Sequence, residues 1–237
     1  DNTFFIYDYA FFYNNAAATY RNVTVDGNTV TQDSFVGPVV AGGLFTLLGT
    51  DVANLSVSGN RFDHAGNVGG VFVSISGVGA RDIAVDGNTV RNENATNNFP
   101  LVVVLSATNA LSPQVSNVSM SRNTVRHFGN GFEAIHLALS GSVVGFNVFR
   151  NVRMDDNSVT VEENNPFNEG VRLVVLGSGG AFPAVRDVSM CRNEVLAYGP
   201  SVYFDATDVG VIENALICDN SAVAGNLNSS GAIFFDC

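Results

Sequence analysis

The residues able to do chemistry in this chain are few, and they recur at fixed intervals. One polar row reads Asp26, Ser58, Asp86, Ser121, Asp155, Cys191 and Cys218, each standing two residues ahead of an asparagine. Clustered carboxylates at one place would suit calcium, a hard cation that takes several oxygens. Here serines interrupt the acids and Asp155-Asp156 is the one close pair, so the row reads as solvated turn aspartates with no metal and no cofactor.

A second set is expected on the outward side of an apolar strand that returns with the same period. One outward row should run Ile6, Phe45, Phe72, Val102, His136, Arg172, Tyr203 and Phe234, and beside it Asp8, Leu47, Ser74, Val104, Ala138, Val174, Asp205 and Asp236. That register stacks His136, Arg172 and Tyr203, sets Asp205 beside Tyr203, and puts Asp236 one coil further on. Carboxylates on adjacent strands ~4.8 Å apart repel, which raises one pKa and keeps an acid protonated for general acid work. His136, Arg172, Tyr203, Asp205 and Asp236 are therefore the candidate catalytic residues, although such acids also occur in structural networks and a one-residue slip would bury half the set. The remainder, Phe45, Leu47, Phe72, Val102 and Val104, should form an exposed apolar strip of the kind that meets a partner or a covering segment.

Cys191 and Cys218 share one repeat position in consecutive coils, a separation compatible with a disulfide, with two reduced thiols as the alternative. Cys237 is left over to pair elsewhere, and no His/Cys spacing suggests zinc. Glycosylation sequons occur at Asn22, Asn54, Asn94, Asn117 and Asn228. Three of them follow from the repeat itself, because alternation turns both Asn22 and Thr24 outward.

What positions all these residues is an internal repeat. Its clearest copies are RNVTVDGNTV (Arg21 to Val30), RDIAVDGNTV (Arg81 to Val90), SNVSMSRNTV (Ser116 to Val125) and RNVRMDDNSV (Arg150 to Val159), with weaker ones from Ala53, Arg186 and Glu213. The shared asparagines are Asn28, Asn60, Asn88, Asn123, Asn157, Asn193 and Asn220, on average 32 residues apart. Within each copy, apolar and polar residues alternate as in Val23-Thr24-Val25, the period of a strand with one buried face. A break such as Asp26-Gly27 then turns a corner, where glycine tolerates positive φ. A second, apolar strand follows in each repeat: Leu44 to Leu48, Val71 to Ile75, Leu101 to Leu105, Ile135 to Leu139, Val171 to Val175, Val202 to Ala206 and Ile233 to Cys237, with Phe5 to Tyr9 for an incomplete first coil. No helical stretch separates the strands, so successive copies must stack. The expectation is a single all-β domain over 1–237, a parallel β-helix of about seven coils, with the asparagines forming a hydrogen-bonded ladder at one corner.

Composition agrees with that architecture. The chain is 46% hydrophobic but 14% charged, too few charges for the solvent faces of ordinary helices. A net charge of −11 repels phosphates and anionic membrane surfaces, which sets nucleic acid aside, and no apolar run approaches the ~20 residues of a membrane span. The sequence starts without the pattern of a signal peptide and ends on an uncapped strand, so a fragment of a longer protein is expected.

These repeats, NVTVDGNTV followed by a Gly-led apolar strand, resemble the pectin-lyase-like right-handed parallel β-helix superfamily. SNVSMSRNTV together with LVVVLSATNA is similar, more narrowly, to the dispersed gene family surface proteins of trypanosomes, large adhesins with many such coils. The resemblance implies right-handedness and fold alone, because such helices serve as lyases, hydrolases, adhesins and stalks. The aspartates and His-Gly of the pectin-hydrolysing members are missing, since His64 and His127 precede Ala and Phe. The expected function is a noncatalytic scaffold at the cell surface or in the extracellular medium, an adhesin-type glycoprotein segment contacting carbohydrate or a host protein. The alternatives are a polysaccharide-acting lyase or hydrolase using the outward row of the apolar strands, and a spacer without a ligand. Insertions at Arg91 to Phe99, Leu111 to Val115 and Glu162 to Glu169 are further places for contacts.

Overall fold

A computed structural model describes residues 3–5, 11–15, 19–32, 43–49, 51–64, 70–77, 79–96, 100–107, 114–130, 133–141, 148–162, 169–177, 183–224 and 233–236. They form a parallel β-solenoid, and no helix occurs among them. Each coil has three strands: a long one carrying the NVTV-type run, a short one after the ladder asparagine, and the apolar one. Stacked, these make a first sheet of seven strands, a second of eight and a third of eight. Every strand pairs in parallel with its counterparts one coil away, so like residue sits on like.

The inward rows show why the chain coils. Leu55, Ile83, Val118, Val152 and Val188 stack from the first sheet, Phe62, Val90, Val125, Val159 and Val195 from the second, and Val73, Val103, Leu137, Leu173 and Phe204 from the third, all at most 2% exposed. Large and β-branched side chains on three sides fill the interior without a covering layer.

The corner asparagines lie inside this core. Asn60, Asn88, Asn123, Asn157 and Asn193 are at most 1% exposed. Each side chain serves both neighbouring coils. The Asn123 amide donates to Asn157 Oδ1 (3.2 Å) and to the Val85 carbonyl (2.8 Å), and Asn123 Oδ1 accepts the Asn88 backbone N–H (3.0 Å). The corner itself needs a left-handed residue just before the asparagine. Gly27, Gly59 and Gly87 supply it in three coils, at φ of 64° to 67°, and Arg122, Asp156, Arg192 and Asp219 in the other four, at φ of 52° to 59°.

Two expectations about register are corrected. The partner of strand Gly43–Gly49 in the third sheet is Phe11–Asn15, not a strand from Phe5 to Tyr9; Thr3–Phe5 pairs instead with Thr29–Gln32 of the second sheet. In the first three coils the corner into the first sheet is short, so the third-sheet strand starts eight residues ahead of the next long strand: Phe11 from Thr19, Gly43 from Asp51 and Val71 from Gly79. Ile6 and Asp8 lie outside the described residues. In the next strand the outward rows pass through Leu44 and Thr46 rather than Phe45 and Leu47, because Leu44 pairs with Phe72 and Thr46 with Ser74.

The long strands depart from strict alternation. Asn22, Asn54, Asp82, Asn117, Asn151, Asp187 and Asn214, one per coil, all have φ between 53° and 58°. Each is exposed and is skipped in the pairing, which runs from Arg21↔Ala53 directly to Val23↔Leu55. Asn and Asp reach the left-handed region more readily than other side-chain-bearing residues. Their side chains form a second, outer ladder, with Asn54 donating to Asn22 (2.9 Å), Asn117 to Asp82 (2.7 Å), Asn151 to Asn117 (3.0 Å) and Asn214 to Asp187 (2.9 Å).

Candidate functional site

On the outer face of the third sheet, parallel pairing puts His136 beside Arg172, Arg172 beside Tyr203, and Tyr203 beside Phe234, with Asp205 opposite Asp236. The Arg172 guanidinium lies over the Tyr203 ring, 4.8 Å from its centroid, and Nη2 is 3.3 Å from Asp205 Oδ2. Asp205 also accepts from the Thr207 hydroxyl at 3.0 Å.

Two further acids join the group. Glu133 and Glu169 pair in register, each three residues ahead of the outward His136 or Arg172. Glu133 bonds Arg172 Nη1 and stands 3.4 Å from His136 Nδ1, while Glu169 Oε2 is 3.4 Å from the same Arg172 nitrogen. Glu169 stands at the end of an expected insertion, and Glu133 is not among the site residues expected from the sequence. The signal that finds them is their shared offset, Glu-x-x-His in one coil and Glu-x-x-Arg in the next.

The environment drives these two carboxyls apart. Burial pushes Glu169 up to about 7, and the charges of Glu133 and Asp205 add to that against the pull of Arg172. Glu133 is held below the usual range: burial opposes ionisation, but contacts with His136 and then Arg172 outweigh it. Such a split is the pattern of an acid and a base. Access argues otherwise. The side chains of Glu133, His136, Glu169 and Asp205 are 5%, 16%, 17% and 15% exposed, and Glu133 Oε2 and Glu169 Oε2 are buried without a hydrogen-bond partner among the described residues. A general acid or base must reach the proton it moves.

Of the expected apolar strip, Val102 is buried at 4% exposure and Val104 is half-buried, because neighbours ~4.8 Å above and below cover a stacked side chain; the side chains of Phe45, Leu47 and Phe72 lie outside the described residues.

The open surface lies elsewhere, on the first sheet and its corner. A groove of about 500 Å³ crosses coils there, lined by Asp86, Asn117, Ser119, Ser121, Arg122, Asn151, Arg153, Asp155, Asp156 and Arg192 around Val118. A smaller one of about 250 Å³ adjoins it through Asn117 and Asn151 and adds Ser116 and Arg150. The acids of the groove are engaged. Asp86 accepts from the Ser119 hydroxyl (2.7 Å) and the Ser121 N–H (2.8 Å), and Asp155 from the Ser189 hydroxyl (2.6 Å) and the Cys191 N–H (2.8 Å). Asp156 pairs with Arg192 at 2.7 Å. No group of three His, Cys, Asp or Glu among the described residues could hold a metal ion.

Cys191 and Cys218 are joined by a disulfide, with Cα atoms 4.6 Å apart. Of the sequon asparagines, Asn22, Asn54 and Asn117 stand in the outer ladder and Asn94 in strand Thr89–Thr96, whereas Asn228 lies outside the described residues, as does Cys237.

No protein-family model matches the chain, and searches of curated proteins and of solved structures gave no match.

Proposed function

We propose that this chain is a noncatalytic β-solenoid scaffold of a secreted or cell-surface protein, an adhesin-type segment that contacts carbohydrate through the outer face of its first sheet. The observation that carries this reading is the groove across Asn117, Ser119, Ser121 and Asn151, a surface of amides and hydroxyls lined also by arginines and by Asp86, Asp155 and Asp156. Sugar hydroxyls are met by such donors and acceptors, and a solenoid repeats them along a line. The disulfide favours an oxidising, extracellular setting. The kinship proposed is with pectin-lyase-like helices and, more narrowly, the dispersed gene family surface proteins, and it rests on the repeat sequence.

A polysaccharide-acting enzyme is the second reading, favoured by the opposed proton affinities of Glu133 and Glu169. One experiment separates the two: purified chain incubated with a panel of neutral and acidic polysaccharides, scored for binding and for new reducing ends. Binding without cleavage is expected, with chemical-shift changes at Asn117 and Asn151. Cleavage lost in Glu169→Gln would overturn the scaffold reading in favour of the enzyme.

A further inference from the structure

All eleven cationic side chains of the protein are arginines, against twenty-two acids. Nine are engaged. Arg21 and Arg81 share Asp51, Arg61 pairs with Asp63, Arg122 with Asp86, Arg126 with Glu162, Arg186 with Glu213 and Arg192 with Asp156. Arg172 is held in the third-sheet cluster, and Arg91 also has a partner. Of the arginine side chains, those of Arg150 and Arg153 alone form no ion pair or hydrogen bond among the described residues. Both are exposed, both lie on strand Val148–Arg153, and they flank the left-handed Asn151. One lines each of the two adjoining grooves, which share Asn117 and Asn151.

In a chain with twice as many acids as cations, two guanidiniums on one strand with no ion pair among the described residues are a local exception. The combined groove carries Asp86, Asp155 and Asp156 against Arg122, Arg150, Arg153 and Arg192, a surplus of one positive charge. Its three acids already have donors, so the free donor capacity belongs to Arg150 and Arg153.

We infer that the paired grooves bind an oligosaccharide bearing an isolated carboxylate, with Arg150 and Arg153 taking the carboxylate and Asn117, Asn151 and Ser119 the neighbouring hydroxyls. This rests on the carbohydrate reading above and names its ligand class. A guanidinium meets a carboxylate through two parallel N–H donors. A polyanion is disfavoured, because the whole chain's net charge of −11 repels a chain with a charge on every sugar while a single carboxylate feels mainly the local surplus.

The test uses protein produced in bacteria, so that Asn117 carries no glycan, titrated with 3′-sialyllactose, lactose and a heparin hexasaccharide. Wild type should bind sialyllactose at least tenfold more tightly than lactose, and Arg150→Gln/Arg153→Gln should erase that preference with unchanged circular dichroism and melting. Equal binding of lactose and sialyllactose, or a preference surviving in the double variant, overturns the inference and leaves the carbohydrate reading standing. Tightest binding to the heparin fragment overturns it in favour of a polyanion. If none of the three saccharides binds, the inference falls, and the polysaccharide panel decides the broader reading separately.

Discussion

Replacing Glu169 by glutamine isolates what a buried, unwilling carboxylate does to this fold. Its side chain is 17% exposed and its pKa stands at about 7 against an ordinary 4.5, so the ionised form is the disfavoured one in the folded chain. Between those values the folded protein holds a proton that the unfolded protein has released. Stability is therefore full below pH 4.5 and falls as pH rises to about 7, by 1.36 kcal/mol per pH unit over roughly 2.5 units, or about 3 kcal/mol. The attraction of Arg172 is already inside that net shift. Glutamine keeps the shape and stays neutral, so Glu169→Gln should match wild type near pH 4 and exceed it at pH 8 by about 3 kcal/mol. With a urea slope of about 2–3 kcal/mol per molar, the midpoint at pH 8 should rise by about 1 M. Urea unfolding followed by circular dichroism from pH 4 to 8 measures it. A variant that is less stable than wild type at pH 8, or whose midpoint tracks wild type across the range, would refute the reasoning, since ionised Glu169 would then not be destabilising.

Two other perturbations probe the stack itself. Asn123→Ala leaves the buried Asn88 N–H without an acceptor and the Val85 carbonyl without a donor, and at about 1–3 kcal/mol for each orphaned group the cost should be about 3 kcal/mol. Asn220→Ala, in a half-buried coil where water can substitute, should cost about 1 kcal/mol; equal losses in thermal unfolding would contradict the ladder account. Cys218→Ser opens a link with a sequence separation of 27, worth about 3.5 kcal/mol of closure entropy, and hydrogen exchange should show faster opening of residues 211–224 with the middle coils unchanged.

The sequence made the coils legible because a buried polar residue recurred with a corner glycine and an alternating run. Asn28, Asn60 and Asn88 carry all three signals, and the later copies, which lack the glycine, align on the asparagine and the alternating run. Register was lost where those cues lapse. Leu44-Phe45-Thr46-Leu47-Leu48 has apolar side chains on both parities, so nothing local says that Leu44 and Thr46 lead outward; the pairing with Val71–Gly77 decides it. The left-handed residue in each long strand was hidden by an assumption of unbroken alternation, although the two polar residues of Arg21-Asn22 or Arg81-Asp82 interrupt it visibly. Of the five catalytic candidates, His136, Arg172, Tyr203 and Asp205 adjoin as the parity argument required, but the argument followed outward residues within a strand. Glu133 and Glu169 begin their strands an even count from the inward Leu137 and Leu173, so parity places them on the buried side and a search of the outward rows passed them over.

The inner asparagine ladder also has a direction. From Asn28 to Asn193, every amide donates to the oxygen of the next asparagine along the chain, never the reverse. Amide dipoles aligned in this way reinforce one another. The two ends of the column consequently differ: a coil added after Asn220 must offer an acceptor, and a coil added before Asn28 must offer a donor. The column thus has a head and a tail, so further coils can extend it only in the same sense, and a junction of two heads or two tails would set like dipoles face to face.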